Sequence, residues 1–361
     1  MTTSERSSRP VASIQMLRAV AALGVVALHV AHEGATRLGA RNPLPDFSLG
    51  AAGVDLFFVI SGFIMVYASD VLFARAGAPG HFFTRRLARI VPLYWAATAA
   101  ALVCFVLFRY AGALEQLTWQ TLAASLVFLP WPRPDSLILP VHMLGWTLNY
   151  EMFFYLVFAL ALTLTRRNAV FAVTALFLAL AIAGRAFALP QPFAFWCDPV
   201  ILEFCFGMLI ALAWREGARL PRGAAAMLVI AGFATLALGT LAGGWPRLVL
   251  WGLPAAAIVA GAVLGGPREP GPLARALVFL GDASYSIYLV HWLAILALTA
   301  LVAYLRLDIA AAPWTYLAAQ ALFALAASVA VYLAFEQPAT RALQRRLRER
   351  SEPAARVIAS P

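Results

Sequence analysis

Long apolar segments alternate with short polar ones along almost the whole chain. A helix needs about 20 consecutive apolar residues to cross the hydrocarbon core of a bilayer. Ten segments approach or exceed that length, at residues 13–32, 50–69, 90–109, 144–164, 168–188, 197–214, 223–243, 247–265, 281–305 and 314–335. The pattern therefore predicts an all-α polytopic membrane protein with about ten transmembrane helices.

One further apolar stretch, TLAASLVFLPW at 121–131, is shorter and is followed by Pro132 and Pro134. It is too short to cross a bilayer comfortably as a helix. We expect it to be an interfacial or re-entrant segment.

The composition agrees with a membrane domain. Of 361 residues, 63% are hydrophobic and 12% are charged, whereas about a quarter of a soluble protein is charged. Cys104, Cys197 and Cys205 lie in apolar segments without CxxC spacing, so neither a disulfide framework nor a zinc site is indicated. The first apolar run is long and lacks a small-residue cleavage site, so no cleavable signal peptide is expected.

The distribution of arginine predicts the orientation. All 27 basic residues are arginines; with ten spans and an internal N-terminus, 20 of them lie in cytoplasmic segments and 7 outside. This is the bias of the positive-inside rule, and an eleventh span at 121–131 would reverse it in the second half. Both termini are therefore expected in the cytosol.

This orientation also assigns the rest of the chain. The net charge of +10 is explained by membrane orientation and contact with anionic lipid, and nucleic acid is not implied. We expect a disordered cytoplasmic N-terminus at 1–12, a membrane domain at 13–338 and a basic cytoplasmic tail at 339–361. The tail should form a solvated or lipid-surface helix.

Polar residues inside the spans mark candidate function, because burying them in lipid is costly unless they face a partner or water. Arg18 and His29 are eleven residues apart, which places them on one helical face about 16 Å apart along the axis. A histidine in line with an arginine inside a membrane helix favours function over packing. His32 and Glu33 follow, but HVAHE alone is a weak metal signal, and no metal is expected.

A second cluster, GWTLNYEMFFY, enters a span from the outer side. Trp146 is a candidate interfacial anchor, and Glu151 and Tyr155 are neighbours at i, i+4. Glu151 is either a structural salt-bridge partner or a functional carboxylate, and its position inside the span favours the second.

Two more spans carry polar stripes. In GDASYSIYLVHW, Ser284, Tyr288 and His291 share one helical stripe, which indicates a wet cavity. In AAGVDLFFVISGFIMVY, small residues at Ser61 and its neighbouring glycine favour close helix packing. Asp55 is not explained by packing.

The segment FFTRRLARIVPLYW places Arg86 and Arg89 at i, i+3 where a cytoplasmic loop meets the third span, with Pro92 expected in the first turn of that span. The arginines are either topological anchors or a paired guanidinium site for a phosphorylated ligand. The residues alone leave both possibilities open.

Six segments of the chain together resemble the acyltransferase-3 family of integral-membrane acyltransferases, which modify sugars and other acceptors in bacteria. The resemblance runs from about Ser13 to Pro338 and rests on LRAVAALGVVALH, GVDLFFVISGF, RRLARIVPLYW, GWTLNYEMFFY, SYSIYLVH and FEQP. Departures are small: the usual arginine–glycine opening is Arg18-Ala19, and WTL replaces WSL before Glu151. The chain looks most similar to short, exopolysaccharide-acetylating members without a fused hydrolase-like domain.

The resemblance implies transfer of an acyl group, expected to be acetyl, from cytosolic acyl-CoA to a carbohydrate hydroxyl. Arg86 and Arg89 would bind the donor phosphates, and His29 would act as general base or carry the acyl group. Glu151 would orient the imidazole or the acceptor, and Arg18 would pair with a donor phosphate or an acidic residue. We expect the substrate cavity to be lined by Asp55, Ser61, Trp146, Ser284, Tyr288 and His291.

The implied partners are membrane lipid, acyl-CoA as co-substrate rather than a tightly bound cofactor, a carbohydrate acceptor and polysaccharide biosynthesis proteins. The implied location is the bacterial inner membrane. The alternative is a transporter or exporter, because buried His, Glu, Asp and Arg also form proton and substrate pathways. No paired broken helices or internal repeat favours that class.

Overall fold

The computed structural model describes residues 9–45, 47–108, 111–239, 245–266 and 271–351, and within these ranges every regular element is helical. The α-helices are α1 (Arg9–Leu38), α2 (Ala52–Ala68), α3 (Ala78–Leu107), α4 (Ala111–Glu115), α5 (Trp119–Leu126), α6 (Trp146–Ala161), α7 (Arg166–Ala186), α8 (Phe193–Trp196), α9 (Leu202–Arg215), α10 (Arg222–Gly239), α11 (Leu253–Leu264), α12 (Pro272–Asp282), α13 (Ser284–Tyr304), α14 (Pro313–Val331) and α15 (Gln337–Ser351). One π-helical turn, Leu248–Gly252, leads into α11, and another, Tyr332–Glu336, joins α14 to α15. Short 3₁₀ turns lie at Gly39–Arg41, Ser48–Ala51, Met143–Gly145 and Pro199–Ile201.

Eight helical segments in the described ranges are long and apolar enough to cross a membrane. They contain α1, α2, α3, α6, α7, α10, α13 and α14. The other two predicted spans are also helical but shorter: α9 has 14 residues, and a continuous helical segment covers Leu248–Leu264. The all-α, multi-pass membrane fold is confirmed, while ten spans and cytoplasmic termini stay predictions.

Several predicted boundaries move. Helix α1 begins at Arg9, so the last four residues of the segment predicted to be disordered are helical, and residues 1–8 lie outside the described residues. The basic tail is helical to Ser351, with 352–361 outside the described residues. The ends of two predicted spans, at 109 and at 240–243, also lie outside them.

Helix α3 begins twelve residues before the predicted third span and includes the whole arginine motif. The prediction that Pro92 lies in the first turn was therefore wrong: it lies inside the helix, where proline removes one backbone N–H donor and disturbs the preceding turn. Hydropathy placed the start of the helix too late, because the first three turns of α3 are as polar as a loop. Arg86 and Arg89 consequently lie on a continuous helix.

The stretch at 121–131 does not cross. Its helix, α5, has eight residues, which rise about 12 Å against the roughly 30 Å of a hydrocarbon core. Thr118 caps its start by accepting a hydrogen bond from the Thr121 backbone N–H, and Trp95 of α3 donates to the Leu126 carbonyl at 3.0 Å.

Close backbone contacts fix the helices that form the site. A Cβ atom added at Gly62 would lie 2.0 Å from the Phe204 carbonyl oxygen, so α2 and α9 pack backbone to backbone. A Cβ at Gly281 would lie 1.9 Å from the Gln15 carbonyl oxygen, which brings α12 equally close to α1.

Helices α1 and α13 run parallel, in register. Arg18 bonds to Ser284, His29 to His291 and Glu33 to Thr299, so residue numbers rise together along the two helices. Because each helix rises 1.5 Å per residue, this register sets the order of polar groups along the site.

Candidate functional site

A cavity of about 80 Å³ lies between α1, α2, α3, α6 and α13. We call it the arginine cavity, because three guanidinium groups line it. Its polar lining consists of Arg18, Ser61, Arg86, Arg89, Thr147, Glu151, Tyr155, Ser284, Tyr285 and Tyr288. Seven of the eleven residues predicted from sequence for the site meet here, from five helices.

Arg18 is held in this cavity by α12 and α13. Its Nε donates to Ser284 Oγ at 3.0 Å and to the Gly281 carbonyl oxygen at 3.3 Å. The close approach of Gly281 to α1 is what places that carbonyl within reach. Both acceptors of Arg18 are therefore uncharged. Within the described residues Arg18 forms no ion pair with an acidic residue, the partner considered from sequence.

The single carboxylate of the cavity is bonded to hydroxyl groups. Glu151 Oε1 accepts hydrogen bonds from the Tyr155 hydroxyl and, at 3.1 Å, from Ser61 Oγ. The Tyr155 ring in turn packs against Arg86, whose guanidinium carbon lies 5.6 Å from the ring centroid. Glu151, which is partly buried, thus fixes a tyrosine that packs against an arginine.

The cavity carries excess positive charge. In the described part of the chain no carboxylate oxygen lies within 4.0 Å of the guanidinium groups of Arg18, Arg86 or Arg89. Among the lining residues three cations accompany one carboxylate that none of them contacts, and the carboxylates of Asp282 and Glu336 act on Arg18 and Arg89 from outside the lining. Such an arrangement favours an anionic ligand with several acceptor oxygens, since guanidinium forks bind phosphate bidentately.

His29 and His291 form a pair beyond the cavity. His29 Nδ1 lies 3.1 Å from His291 Nε2, and the ring centroids are 5.0 Å apart. His291 is fully buried, whereas His29 is half-buried. Tyr288, one turn before His291 on α13, lines the arginine cavity and lies 6.4 Å from His291 between ring centroids.

The hydrogen-bond network assigns the tautomers of the neutral pair. His291 Nδ1 lies 2.7 Å from the Ile287 carbonyl oxygen, which only accepts, so Nδ1 carries the proton and Nε2 is an acceptor. His29 Nδ1 faces two acceptors, the Val25 carbonyl at 2.9 Å and His291 Nε2, and must be the donor. This leaves Nε2 of His29 with a free lone pair, as a general base requires.

Glu151 does not orient this imidazole. Its hydrogen-bond partners are Tyr155 and Ser61, and no hydrogen bond joins it to either histidine within the described residues. The backbone of α1 and the second histidine orient His29 instead.

Asp55 and Trp146 lie outside the arginine cavity, around a second charged centre. We call this centre the Asp55 ion pair, after the contact between Asp55 and Arg247. Fully buried Asp55 accepts from Arg247 Nε at 2.9 Å and Arg247 Nη2 at 2.8 Å. The Arg247 guanidinium also lies over the rings of Trp146 and Trp251, at 5.8 and 5.0 Å. Neither predicted residue lines the arginine cavity.

Sequence reasoning missed three charged residues around these centres. Arg247, the first residue of the predicted span 247–265, was counted only among the seven outer arginines. Glu203 is fully buried, and Glu336 accepts from the backbone N–H and Oγ of Ser286 at 3.1 and 2.5 Å, which satisfies the first turn of α13. Both glutamates are isolated acids in apolar segments, the same signal that identified Glu151.

Known proteins match most of the chain. The family model for the acyltransferase domain, Acyl_transf_3, matches residues 11–333. The exopolysaccharide production protein ExoZ of Rhizobium meliloti is 42% identical over 306 residues, 82% of this chain and 91% of the relative. The acyltransferase MdmB of Streptomyces mycarofaciens is 28% identical over 312 residues, 78% of each chain.

No solved structure shows significant similarity to the chain. The family model covers all the helices that build the arginine cavity and the histidine pair. This chain therefore belongs to the acyltransferase family defined by that domain, and it is a multi-pass membrane acyltransferase.

Proposed function

We propose that the protein transfers an acyl group, most simply acetyl, from cytosolic acyl-CoA to a hydroxyl of a carbohydrate such as an exopolysaccharide or a lipid-linked glycan, in the bacterial inner membrane. The observation that carries the proposal is the arginine cavity, whose three cations have no direct carboxylate partner among the described residues. Beyond it, past Tyr288 and His291, lies a histidine with a free lone pair, His29. A relative named for exopolysaccharide production supports the choice of acceptor.

The donor fits the charge of the cavity. Acyl-CoA carries phosphates at one end and a thioester at the other. Arg86 and Arg89 lie near the start of α3, at the end that the arginine bias assigns to the cytosol, and would bind the phosphates through charge-assisted hydrogen bonds. Arg18, which lines the same cavity, would pair with a donor phosphate.

His29 would perform the chemistry. Its Nε2 accepts the proton of the acceptor hydroxyl as that oxygen attacks the thioester carbonyl. The carbon–sulfur bond then breaks, the ester remains on the carbohydrate, and the proton returns from the imidazolium to the thiolate of CoA. His291 accepts from Nδ1 of His29 and so holds the ring with Nε2 available.

The test uses purified protein reconstituted in liposomes, supplied with acetyl-CoA and the unacetylated surface glycan from a strain lacking the gene. We expect free CoA thiol and glycan ester to appear in equal amounts, and neither with His29→Ala. An exporter would move solute and leave the thioester intact, which would contradict the proposal. Succinyl-CoA in parallel tests the choice of acetyl.

A further inference from the structure

A second pocket, of about 160 Å³, lies near α4, α5 and α13. We call it the Trp292 pocket. Its lining consists of Phe105, Ala113, Gln116, Leu117, Thr121, Arg133, Val141, Met143, Trp292 and Leu296. None of these residues was singled out from the sequence, and none of them lines the arginine cavity.

The two cavities lie on opposite sides of the histidine pair. Along α13, Ser284 and Tyr288 line the arginine cavity, His291 contacts His29, and Trp292 and Leu296 line the Trp292 pocket. From Tyr288 to Leu296 is about 12 Å of helix. A ligand in each cavity would therefore approach the histidines from opposite directions.

Trp292 links this pocket to His29 directly. The centroids of the indole and the imidazole are 5.4 Å apart, with the rings tilted by 55°. A ligand packed against Trp292 is thus within one side chain of the catalytic imidazole.

The charge of the Trp292 pocket differs from that of the arginine cavity. Among the described residues that line it, the one cation is Arg133, which is paired with Asp135 through Nη2–Oδ2 at 2.5 Å and Nε–Oδ1 at 3.3 Å. The hydrogen bond from Arg133 holds the pKa of Asp135 below its ordinary value, so the pair stays ionised and internally neutral. Nothing in the described lining favours a phosphate.

Hydrogen-bond donors remain in an otherwise apolar lining. Gln116 Oε1 accepts from the Asp135 backbone N–H at 2.8 Å, which fixes the amide and leaves its Nε2 hydrogens for another acceptor. Trp292 adds an indole N–H and an aromatic face. An aromatic surface with a few amide and indole donors, and no net charge in the described lining, matches a neutral, hydroxyl-bearing ring.

We propose that the Trp292 pocket is the binding site for the carbohydrate acceptor, with Trp292 packing against the sugar ring and Gln116 donating to its oxygens. The assignment rests on the proposed function and adds to it that donor and acceptor enter by separate cavities. An acceptor here leaves the arginine cavity to acyl-CoA, so the two substrates do not compete.

Binding is tested without relying on transfer. The protein, in phosphatidylcholine nanodiscs, is mixed with the methyl glycosides of glucose, galactose and mannose, and saturation-transfer NMR measures their dissociation constants. We expect at least one to bind, and about tenfold weaker binding in Gln116→Leu and in Trp292→Leu, since each loses a hydrogen bond or the aromatic surface. Trp292→Phe should retain most of the binding.

The matched control is Trp314→Leu, an exposed tryptophan on α14, which should bind like wild type. The assignment is overturned if no glycoside binds wild type, or if both pocket variants bind the glycosides as well as wild type does. It is also overturned if wild type binds glucose 6-phosphate in preference to the neutral glycosides and Gln116→Leu loses that binding. Acetyl transfer measured on the same samples separates the two proposals: binding without transfer refutes the function, and transfer without binding refutes the pocket.

Discussion

At Asp55 a buried carboxylate and an arginine meet directly, whereas in the arginine cavity three guanidinium groups share one carboxylate that none of them touches. Asp55 receives two hydrogen bonds from Arg247, in the fork geometry typical of strong pairs. Glu151, in contrast, is bonded to the hydroxyls of Tyr155 and Ser61.

Removing the charged groups from water costs free energy in both arrangements. Only at Asp55 does a direct contact between opposite charges within the protein offset that cost. Asp70 is another carboxylate that arginines of the same chain neutralise directly. It pairs with Arg166 and, at 3.3 Å, with Arg215. In the arginine cavity no direct carboxylate partner neutralises the guanidinium groups within the described residues. From this difference we infer that the Asp55 ion pair is structural and that the arginine cavity is the place where a ligand binds.

The largest expected effect concerns the histidine next to the unpaired charges. His29→Ala should lower acyl transfer by at least about 100-fold, because a general base contributes roughly 10²–10⁴ in rate. Thermal unfolding should change little, since the side chain is half-buried. Transfer rate and melting temperature are measured on the same purified sample.

The control for this variant is His32→Ala, an exposed histidine less than one turn away, which should retain activity. Near wild-type transfer by purified His29→Ala would contradict the role assigned to it. His291 would then be the remaining histidine of the pair to test as base.

The second effect is on stability. Asp55→Asn should destabilise the protein by up to about 3 kcal/mol, because Arg247 loses its partner; the cost is below that of a fully buried pair since the Arg247 side chain is 37% exposed. Activity per folded molecule should be unchanged. The double variant with Arg247→Gln should recover part of the loss, and a donor KM raised at unchanged stability would make Asp55 a ligand residue instead.

The third effect is on donor affinity. Arg86→Ala and Arg89→Ala should each raise the KM for acetyl-CoA about tenfold or more, since a hydrogen bond to a charged group contributes roughly 1.5–3 kcal/mol. Arg89→Lys should also be impaired, because a point charge does not reproduce the guanidinium fork. Exposed Arg75→Ala is the control from the same end of the bundle, and an unchanged KM in both alanine variants would reduce the pair to topological anchors.

The smallest effect is expected at Glu151. Glu151→Gln keeps the volume but weakens the bonds from Tyr155 and Ser61, so transfer should fall about tenfold with the fold retained. Membrane yield and rate per folded molecule are measured together. A protein that fails to accumulate, with an unchanged rate per folded molecule, would make Glu151 a structural partner like Asp55.

Most of the fold was predictable because hydropathy is a local property. In the part of the chain that the structure describes, each of the ten predicted spans contains a helix, since in lipid each backbone amide must be satisfied within its own segment. The boundary of α3 was missed for the same reason: its first turns are polar, and helix formation there depends on packing rather than on hydropathy. Gly62 was correctly assigned to helix packing, which the contact with Phe204 confirms.

The candidate residues were identified from the sequence, but their grouping was not. Arg18, Glu151 and Ser284 were chosen because a polar side chain within a membrane span is costly unless it contacts a partner or water. The structure brings the three together in the arginine cavity. The same rule selected Asp55, which lies in another centre, and it applied equally to Glu203, which was overlooked.

The sequence by itself determined the membrane class, the helical segments, the family motifs and the short set of polar residues within the spans, because each depends on residues close together in the chain. Only the tertiary structure decided which charges are neutralised: Asp55 finds Arg247 192 positions away, and His29 finds His291 262 positions away. Such partners are set by helix packing, through backbone contacts as close as those at Gly62 and Gly281. Since the free energy of a buried charge depends on what lies within a few ångströms, a bound pair and an open binding site look alike until the helices are assembled.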